Sequence, residues 1–551
     1  VGQEAKIYVN GKYIGQHIGG YSAFCFDITD AITSGRNLLA VQVSNAPNFK
    51  RIPVTDGLFN LYGGIYRNVT LFKTPVNHIK PDFHASSGVF VTLKSIDKSA
   101  EIAVKTLLNL DKKNKQPITI HYVIKDAKRN VILNKSHKIH QKNEIKETLI
   151  IPKPHLWQGK QDPYIYTLEV SLISDKSTDK IVQTFGLRNY KVDPNTGFHL
   201  NGKPYRSYGV SMHQEWKQVG PALTKENHEK DFELIDEIGA TALRMSHYQH
   251  SDYSYELADK IGLLVWSEIP FVHDYSGREQ QNAKQQLTEL IFQNYNHPSI
   301  VYWGLWNEVR AYRSPDEPCV LLTKELNKLA HQLDSTRITV SASDRPDISN
   351  MGNITDMQAW NKYYGWYYGA YEDMATWLDT AHKNYPDRHL GISEYGVGGN
   401  PMQQNASRVE KPIGNYFPEQ EQSKYHEISW KIIQDRPFIF GSYIWNMFDF
   451  SVAGWNRGGI PNLNHKGLVS YDRKIKKDAF YFYKANWSKD LVLYIAERRN
   501  IDRTSEEIKV KVYTNTPKVT LFVNDKKVAM QKNTSDIKVV VFDNVTLQKG
   551  D

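Results

Sequence analysis

Residues 301–308 of the chain read Val-Tyr-Trp-Gly-Leu-Trp-Asn-Glu, an apolar run that ends in an amide and a carboxylate. Residues 390–396 read Leu-Gly-Ile-Ser-Glu-Tyr-Gly and again place a carboxylate at the end of a short apolar run. In a barrel of parallel strands, the carboxyl ends of all strands meet at one mouth, where the reactive groups of such barrels cluster. The two runs therefore predict a barrel in which Glu308 and Glu394 face the same mouth.

The rest of residues 198–487 fits this barrel, because helical patterns of about 10 to 18 residues alternate with short apolar runs. Eight parallel strands with crossover helices over about 250 to 290 residues form a TIM barrel. The predicted strands are 205–213, 242–248, 263–270, 300–308, 338–343, 356–363, 389–396 and 438–448. The predicted helices include 225–238, 254–261, 283–295, 320–333 and 423–433.

Both flanks of the barrel have the pattern of antiparallel sheets. Near the beginning of the chain, alternating runs are separated by turn pairs such as Asn10-Gly11 and Gly19-Gly20. A second series of strands has the size of an immunoglobulin-like domain, and strands return after the barrel. The chain is predicted to contain a β-sandwich at 1–75, an immunoglobulin-like β-sandwich at 76–188, a TIM-barrel catalytic domain at 189–487 and the start of a further immunoglobulin-like β-sandwich at 488–551.

The composition is that of a globular protein with several domains. Of the 551 residues, 40% are hydrophobic and 23% are charged, which excludes a disordered or fibrous chain. The net charge of +9 is not organised by a helix-turn-helix, zinc-finger or RNA-binding motif, so nucleic acid is not an expected partner. No apolar run reaches the roughly 18 residues of a membrane span, and two cysteines, Cys25 and Cys319, are too few for a disulfide scaffold. Strand-like sequence at Val1 and at Asp551 leads us to expect that both ends are cut.

Paired carboxyl groups at a polar, aromatic mouth are suited to glycoside hydrolysis. A separation of about 5 to 5.5 Å lets one carboxylate act as a nucleophile, whereas about 6.5 to 9.5 Å leaves room for an inverting water, and the sequence leaves this choice open. Sugars stack on aromatic rings and bind polar side chains. Other predicted strand ends supply both aromatic and polar side chains. They are His213, Gln214, Glu215, Arg244, His247, Glu268, Asn361, Tyr363 and Trp445. His213 and His247 lack the spacing of zinc ligands, so we assign them hydrogen-bonding roles and predict no metal site.

Motifs along the whole chain resemble glycoside hydrolase family 2, of the bacterial β-galactosidase and β-glucuronidase kind. These motifs are Gly63-Gly64-Ile65-Tyr66-Arg67, Arg244-Met245-Ser246-His247-Tyr248, Asn296-His297-Pro298-Ser299, Trp306-Asn307-Glu308, Ser393-Glu394-Tyr395-Gly396 and Lys466-Gly467-Leu468-Val469-Ser470-Tyr471-Asp472-Arg473. The resemblance implies a jelly-roll sandwich as the first domain. It also implies a retaining exo-β-glycosidase in which Glu308 is the general acid/base and Glu394 the nucleophile.

The same resemblance implies roles for the neighbouring side chains. Asn307 is expected to hold the 2-hydroxyl of the sugar. The −1 subsite is expected to be lined by His213, His247, Tyr363 and Trp445. A general acid needs a raised pKa and a nucleophile a low one, so Glu394 is expected to lose its proton before Glu308.

Two positions depart from the family pattern. Leu58 stands where many relatives carry an aspartate that holds the terminal sugar, and Asp56 could substitute for it by a loop shift. His465 stands where relatives often carry an aspartate. Arg457, His465 and Lys466 could together accommodate a sulfate or a uronate through charge-assisted contacts. The run Asn-His-Lys that ends at Lys466 fits the Asn-x-Lys pattern of family β-glucuronidases, but β-galactosidases that read Asn-Asp-Lys fit it as well.

The main expectation is an exo-β-galactosidase acting on oligosaccharides, including those of a modified or sulfated galactan. The alternative is a β-glucuronidase or β-galacturonidase of the same family, and a remote alternative is a non-catalytic carbohydrate-binding protein. No cofactor is required, and Mg²⁺ or Ca²⁺ is not predicted, because the segment after Glu268 does not match the metal ligands of some relatives. The expected partner is an oligosaccharide substrate, and a homo-oligomer stays open. Localisation is unknown from the chain itself, and analogy with family members of Bacteroidota implies the periplasm or secretion.

Overall fold

The computed structural model describes residues 1–54, 57–111, 113, 116–175, 177–309, 317–345, 351–404, 412, 414–503 and 505–548. The chain opens with an antiparallel sheet in the order β2-β1-β3. Its strands are β1 (Glu4–Val9), β2 (Lys12–Ile18) and β3 (Leu39–Ser44), and a 3-10 helix lies at Thr29–Ala31. The turn between β1 and β2 holds Asn10 and Gly11 at φ values of 53° and 79°, the positive values that a tight hairpin requires.

Two further antiparallel sheets follow and pack face to face. Their strands are β4 (His78–Ile79), β5 (Val89–Ile96), β6 (Ser99–Asn109), β7 (Ile118–Lys125), β8 (Val131–Ile139), β9 (Glu144–Pro152), β10 (Tyr166–Ser174) and β11 (Ser177–Phe185). One sheet has the order β4-β6-β5 with β9 beside β6, and the other has the order β11-β10-β7-β8. Alternate residues of both sheets, such as Ile102 and Ile120, fill one buried cluster, which is the packing of a β-sandwich.

A small sheet leads from this sandwich into the barrel. It consists of β12 (Tyr190–Asp193), β13 (Gly197–Leu200) and β14 (Lys203–Pro204), and a 3-10 helix precedes it at Gly159–Gln161. The barrel strands are β15 (Tyr208–Met212), β16 (Ala242–Met245), β17 (Leu264–Glu268), β18 (Ile300–Asn307), β19 (Ile338–Ser343), β20 (Met357–Asn361), β21 (Leu390–Tyr395) and β22 (Ser442–Ile444). They close in sequence order, with every pairing parallel. The predicted TIM barrel with flanking sheet domains is confirmed, and each predicted strand contains one of these strands.

Helices pack around the barrel. They are α1 (Lys225–Glu237), α2 (Asp252–Ile261), α3 (Gln280–Gln293), α4 (Pro318–Leu333), α5 (Asp373–Asn384), α6 (Glu419–Gln434) and α7 (Asp478–Trp487). Local sequence explains several of their ends. Thr224 and Asn227 form a capping box at the start of α1, Pro318 occupies the first turn of α4, and Gly262 ends α2 in the left-handed conformation. Along the described chain, no helix combines the length and the apolar character needed to cross a membrane.

Large side chains fill the lower part of the barrel. Trp266, Tyr302, Phe440 and Tyr443 are buried there in one cluster, and the rings of Trp266 and Tyr443 meet edge to face at 5.6 Å. The guanidinium of Arg244 lies over Trp266, 4.9 Å from the ring centre. This packed floor leaves only the upper end of the barrel for a site.

The chain ends in further antiparallel strands. Two short strands, β23 (Phe450–Ser451) and β24 (Leu463–Asn464), pair above the barrel mouth. After α7 come β25 (Leu493–Ile495), β26 (Glu507–Thr514), β27 (Lys518–Val523), β28 (Lys526–Lys532) and β29 (Val539–Thr546). They form one sheet in the order β25-β26-β29 and a separate pair of β27 with β28.

Candidate active site

Glu308 follows barrel strand β18 directly. Its φ of 52° is left-handed and turns the chain out of the strand at the mouth. His273 Nε2 lies 2.6 Å from Glu308 Oε2, and Asn361 Nδ2 donates to Glu308 Oε1 at 2.6 Å. Both oxygens of this carboxylate therefore have a hydrogen-bond partner.

Glu394 lies within barrel strand β21 and is buried. Arg244 Nη1 donates to its Oε1 at 2.8 Å, and the hydroxyl of Tyr363 donates to its Oε2 at 2.6 Å. Burial, together with the charge of Glu394, raises the pKa of Tyr363 well above its usual value, so the phenol keeps its proton and acts as the donor. These two contacts fix the orientation of the carboxylate.

One hydrogen-bond network joins the two glutamates. Arg244 Nη2 donates to Asn307 Oδ1 at 2.8 Å, and Asn361 Nδ2 reaches the same oxygen at 3.2 Å while it also binds Glu308. Arg244 additionally pairs with Glu268, at 3.2 Å from Nε and 3.1 Å from Nη2. The buried Nδ2 of Asn307 finds no partner among the described residues, so this amide can donate to a substrate hydroxyl.

Aromatic and imidazole rings form a wall beside Glu394. His247 stacks on Trp445 with ring centres 4.9 Å apart, and His213 meets Trp445 edge to face at 5.4 Å. His247 Nδ1 is 2.7 Å from Glu268 Oε1. Burial, followed by the charge of Arg244, lowers the pKa of His247 well below its usual value, so this imidazole is neutral. The structure thus brings together His213, His247, Tyr363 and Trp445, the four side chains predicted for the −1 subsite.

The pKa order of the two glutamates is the reverse of the expected one. Burial raises the pKa of Glu394 to about 7, opposed by the charge of Arg244 and reinforced by that of Glu308. Burial also acts to raise the pKa of Glu308, but the hydrogen bond and charge of His273 and the hydrogen bond of Asn361 outweigh it, and the net direction is down. The prediction that Glu394 loses its proton first is therefore wrong for this arrangement, because it did not include His273.

A segment of the first sheet domain reaches the barrel mouth. The ring of Phe59 lies 5.2 Å from that of His213 and 5.9 Å from that of His247. Asn60 Nδ2 donates to Ser451 Oγ at 2.8 Å. Leu58, the position where the family aspartate was expected, packs half-buried in the cluster around Phe59. Asp56, its predicted substitute, lies outside the described residues.

Lys466 lies beside the nucleophile candidate in a cage of aromatic rings. Its Nζ is 4.3 Å from the ring centre of Tyr363, 4.7 Å from that of Tyr367 and 5.7 Å from that of Trp366. It donates to the hydroxyl of Tyr367 at 2.8 Å. Burial raises the pKa of Tyr367, but the charge and the hydrogen bond of Lys466 outweigh this and lower it. Lys466 is only 4% exposed and pairs with no carboxylate of the described residues.

The other two predicted cations lie differently. Arg457 is exposed at the rim, with its guanidinium 5.3 Å from the ring centre of Trp455. His465 is buried, and its ring packs against Gly458 and faces Phe417 edge-on at 6.2 Å. Burial, with the charge of Lys477, lowers the pKa of His465 to about 3. His465 is therefore neutral and adds no positive charge, contrary to the prediction.

Two residues of the site, His273 and Tyr367, were missing from the predicted set, because they lie in loops beyond the strands. Arg244, Glu268 and Asn361 were predicted at strand ends without individual roles, and the structure places them in the hydrogen-bond network of the two glutamates. Among the described residues, no group of three or more His, Cys, Asp or Glu side chains could hold a metal ion. Independence from metal stays a prediction.

Family comparisons cover nearly the whole chain. Residues 192–489 match the model described as "Glycosyl hydrolases family 2, TIM barrel domain". Residues 83–188 match "Glycosyl hydrolases family 2" and residues 1–75 match its "sugar binding domain". Residues 505–551 match a domain of unknown function.

Three similar proteins illustrate the range of relatives. A β-glucuronidase of Bacteroides fragilis is 42% identical, over 99% of this chain and 80% of its own length. The crystal structure of a Bacteroides uniformis β-glucuronidase has a TM-score of 0.87 at 32% identity, and the match covers 99% of this chain and 68% of the other. A β-galactosidase of Thermoanaerobacter pseudethanolicus is 29% identical, over 96% of this chain and 67% of its own length.

Proposed function

The chain belongs to glycoside hydrolase family 2, and we propose that it is a retaining exo-β-glycosidase that removes a terminal β-linked glucuronic acid from an oligosaccharide. The family makes it a glycoside hydrolase, and the proposal concerns the sugar it recognises and the residues that act on it. β-Galactosidase, the main expectation from the sequence, has less support.

The single observation that carries the choice of sugar is the buried ammonium of Lys466. A buried charge without a counter-ion is costly, and a carboxylate that arrives with the substrate would remove that cost. The cage orients Nζ through Tyr363, whose hydroxyl binds Glu394, so the carboxylate of a sugar bound over Glu394 has Lys466 within reach. Tyr367, hydrogen-bonded to Lys466, can donate its own proton to the same carboxylate.

The relatives support the same choice. The relatives named above at 42% and 32% identity are called β-glucuronidases, and the one called a β-galactosidase is 29% identical. Taken by itself, the Asn-His-Lys run that ends at Lys466 fits β-glucuronidases and β-galactosidases equally well. A galacturonide differs only in the configuration at C4, so the screen below includes it.

The proposed reaction is a double displacement. Glu394 attacks C1, the C1–O electron pair passes to the leaving oxygen, and that oxygen takes a proton delivered by Glu308. Water, deprotonated by Glu308, then attacks C1 and releases Glu394. Arg244 and Tyr363 hold the nucleophile in line, and the Nδ2 of Asn307 is placed to bind the 2-hydroxyl, a contact that strengthens in the transition state.

The test compares p-nitrophenyl β-D-glucuronide, β-D-galacturonide and β-D-galactoside. We expect turnover of the glucuronide, and Lys466→Gln should lower its kcat/KM by about 100-fold, because loss of a buried charge-assisted contact costs about 3 kcal/mol. Lys489→Gln, the same change at an exposed lysine, should have no effect. Turnover of the galactoside alone, or a Lys466→Gln variant with unchanged kcat/KM, would reject the proposal.

A further inference from the structure

We propose that His273 is a positioning residue for this reaction, and that His273 and Glu308 hold one proton between them which the pair delivers to the leaving oxygen. The inference rests on the proposed function, because it takes Glu308 as the general acid/base. It adds a residue that lies five positions beyond the end of a barrel strand, outside the strand-end pattern.

The first support is the contact itself. His273 Nε2 and Glu308 Oε2 are 2.6 Å apart, slightly closer than the roughly 2.7 to 2.9 Å typical of a charge-assisted hydrogen bond between nitrogen and a carboxylate oxygen. The second oxygen of Glu308 already accepts from Asn361. A carboxylate that accepts two hydrogen bonds favours its ionised form, so the proton needed for acid catalysis has to be held next to it.

The second support is the backbone that brings the two side chains together. Asn307 N donates to Phe271 O at 2.9 Å and His273 N donates to Asn307 O at 3.1 Å, so the loop after β17 pairs with the end of β18. His273 and Glu308 both have left-handed backbones, with φ values of 56° and 52°. Residues other than glycine keep this conformation where the surroundings impose it, commonly at functional sites. The contact is therefore built by the fold from both sides.

The third support is chemical. A carboxyl group ordinarily titrates near pH 4.3 and an imidazole near pH 6.5, so near neutral pH an imidazole beside a carboxylate is the better store for the proton. When the C1–O bond breaks, its electron pair stays on the leaving oxygen, which takes the shared proton and leaves neutral His273 beside ionised Glu308. The proton that Glu308 removes from the attacking water in the second step restores the pair.

The charged surroundings allow this arrangement. Described titratable groups that face the pair or flank it are His247, Arg244, Glu268, Glu394, Tyr363, Tyr368 and Asp274. His247 is neutral for the reasons given above. Arg244 is paired with two carboxylates, Glu268 and Glu394. With His247 neutral and Arg244 paired, neither adds an unpaired positive charge that would oppose a proton shared by His273 and Glu308.

The test measures the pH dependence of kcat/KM for p-nitrophenyl β-D-glucuronide in the wild type, His273→Asn and His273→Gln. The alkaline limb should move to lower pH by about one unit in both variants, and kcat/KM at pH 7.5 should fall about tenfold or more. Hydrolysis of 2,4-dinitrophenyl β-D-glucuronide, whose leaving group needs no proton, should be nearly unchanged, which also shows that the variants are folded. His331→Asn, at a half-buried histidine 3.2 Å from Asp356, is the matched control.

Three outcomes would overturn the inference. The first is an alkaline limb that does not move in either variant. The second is wild-type behaviour of His273→Gln, because glutamine can donate a hydrogen bond but holds no proton to transfer. The third is loss of wild-type activity with EDTA and its return with Mg²⁺, which would make His273 and Glu308 metal ligands. A wild type that hydrolyses none of the aryl glycosides would instead reject the proposed function.

Discussion

The neighbours of each glutamate decide its chemistry. Arg244 and Tyr363 occupy the two oxygens of Glu394 and aim it. His273 and Asn361 occupy those of Glu308. Two like residues at the same mouth thereby receive different environments, as the proposed roles of nucleophile and acid/base require.

Replacement of the proposed acid/base by alanine gives a direct test of these roles. Glu308→Ala should slow release of the glycosyl intermediate, and azide, which needs no proton removed, should enter the space left by the side chain and attack C1. With 2,4-dinitrophenyl β-D-glucuronide, azide should raise the turnover of this variant about tenfold or more and yield the β-glycosyl azide. The product is read by NMR.

Glu394→Gln is the control for this experiment. It should bind the substrate but turn over neither with nor without azide, because it cannot form the intermediate. No rescue of Glu308→Ala, or an α-glycosyl azide as its product, would contradict the assignment of the two roles.

Most of the site residues that the sequence could predict stand at the ends of the barrel strands. β18 and β21 are apolar runs that end at the mouth, so the sequence alone predicts that Asn307, Glu308 and Glu394 lie together. His273 could not, because its position depends on a loop with a left-handed residue that pairs with the end of another strand. Local propensity does not encode such a contact.

The segment around Phe59 belongs to the first sheet domain. Its contacts with the barrel residues His213 and His247 could not be predicted from the sequence either. Phe59 is 6% exposed and packs on His213 and His247. Phe59→Ala should leave these two rings less well fixed and lower kcat/KM for the aryl glucuronide by about tenfold, since small displacements in a site are costly. Phe49→Ala, at a phenylalanine of the same domain that is 57% exposed, should change nothing. Equal kcat/KM for wild type and Phe59→Ala would show that the segment does not support the site.

Polar contacts fasten the sheet domains to the barrel. Asn296 accepts from Val91 N and donates to Val89 O, both at 2.8 Å, so this family motif joins the second sandwich to the barrel. His17, in the first domain, lies 3.0 Å from Glu289 on α3. Composition and strand patterns predicted the domains, but such contacts join residues that are about 200 or more positions apart, and periodicity carries no information on them.

An arginine near the C-terminal strands, Arg499, is shared between two acids of the barrel helices. Arg499 donates to Glu419 at the start of α6 and to Asp478 at the start of α7, the latter at 2.8 Å. Tyr494, on β25, also donates to Asp478, at 2.7 Å. Burial, reinforced by the charge of Glu419, raises the pKa of Asp478 from 3.8 to about 6. The folded chain therefore holds this proton where the unfolded chain has lost it, and the contribution of Asp478 to stability falls as the pH rises from about 4 to about 6.

Arg499→Met should increase the loss of stability that accompanies ionisation of Asp478, because it removes the cation that stabilises the carboxylates of Glu419 and Asp478. We expect the free energy of unfolding to drop by about 3 kcal/mol at pH 7.5, where Asp478 is ionised, and by about 1 kcal/mol at pH 4.5, where Asp478 is protonated. Urea unfolding at the two pH values measures the difference, and Arg503→Met, at an exposed arginine nearby, should match the wild type. A deficit that is the same at both pH values, or larger at pH 4.5, would mean that the charge of Asp478 is not what Arg499 compensates.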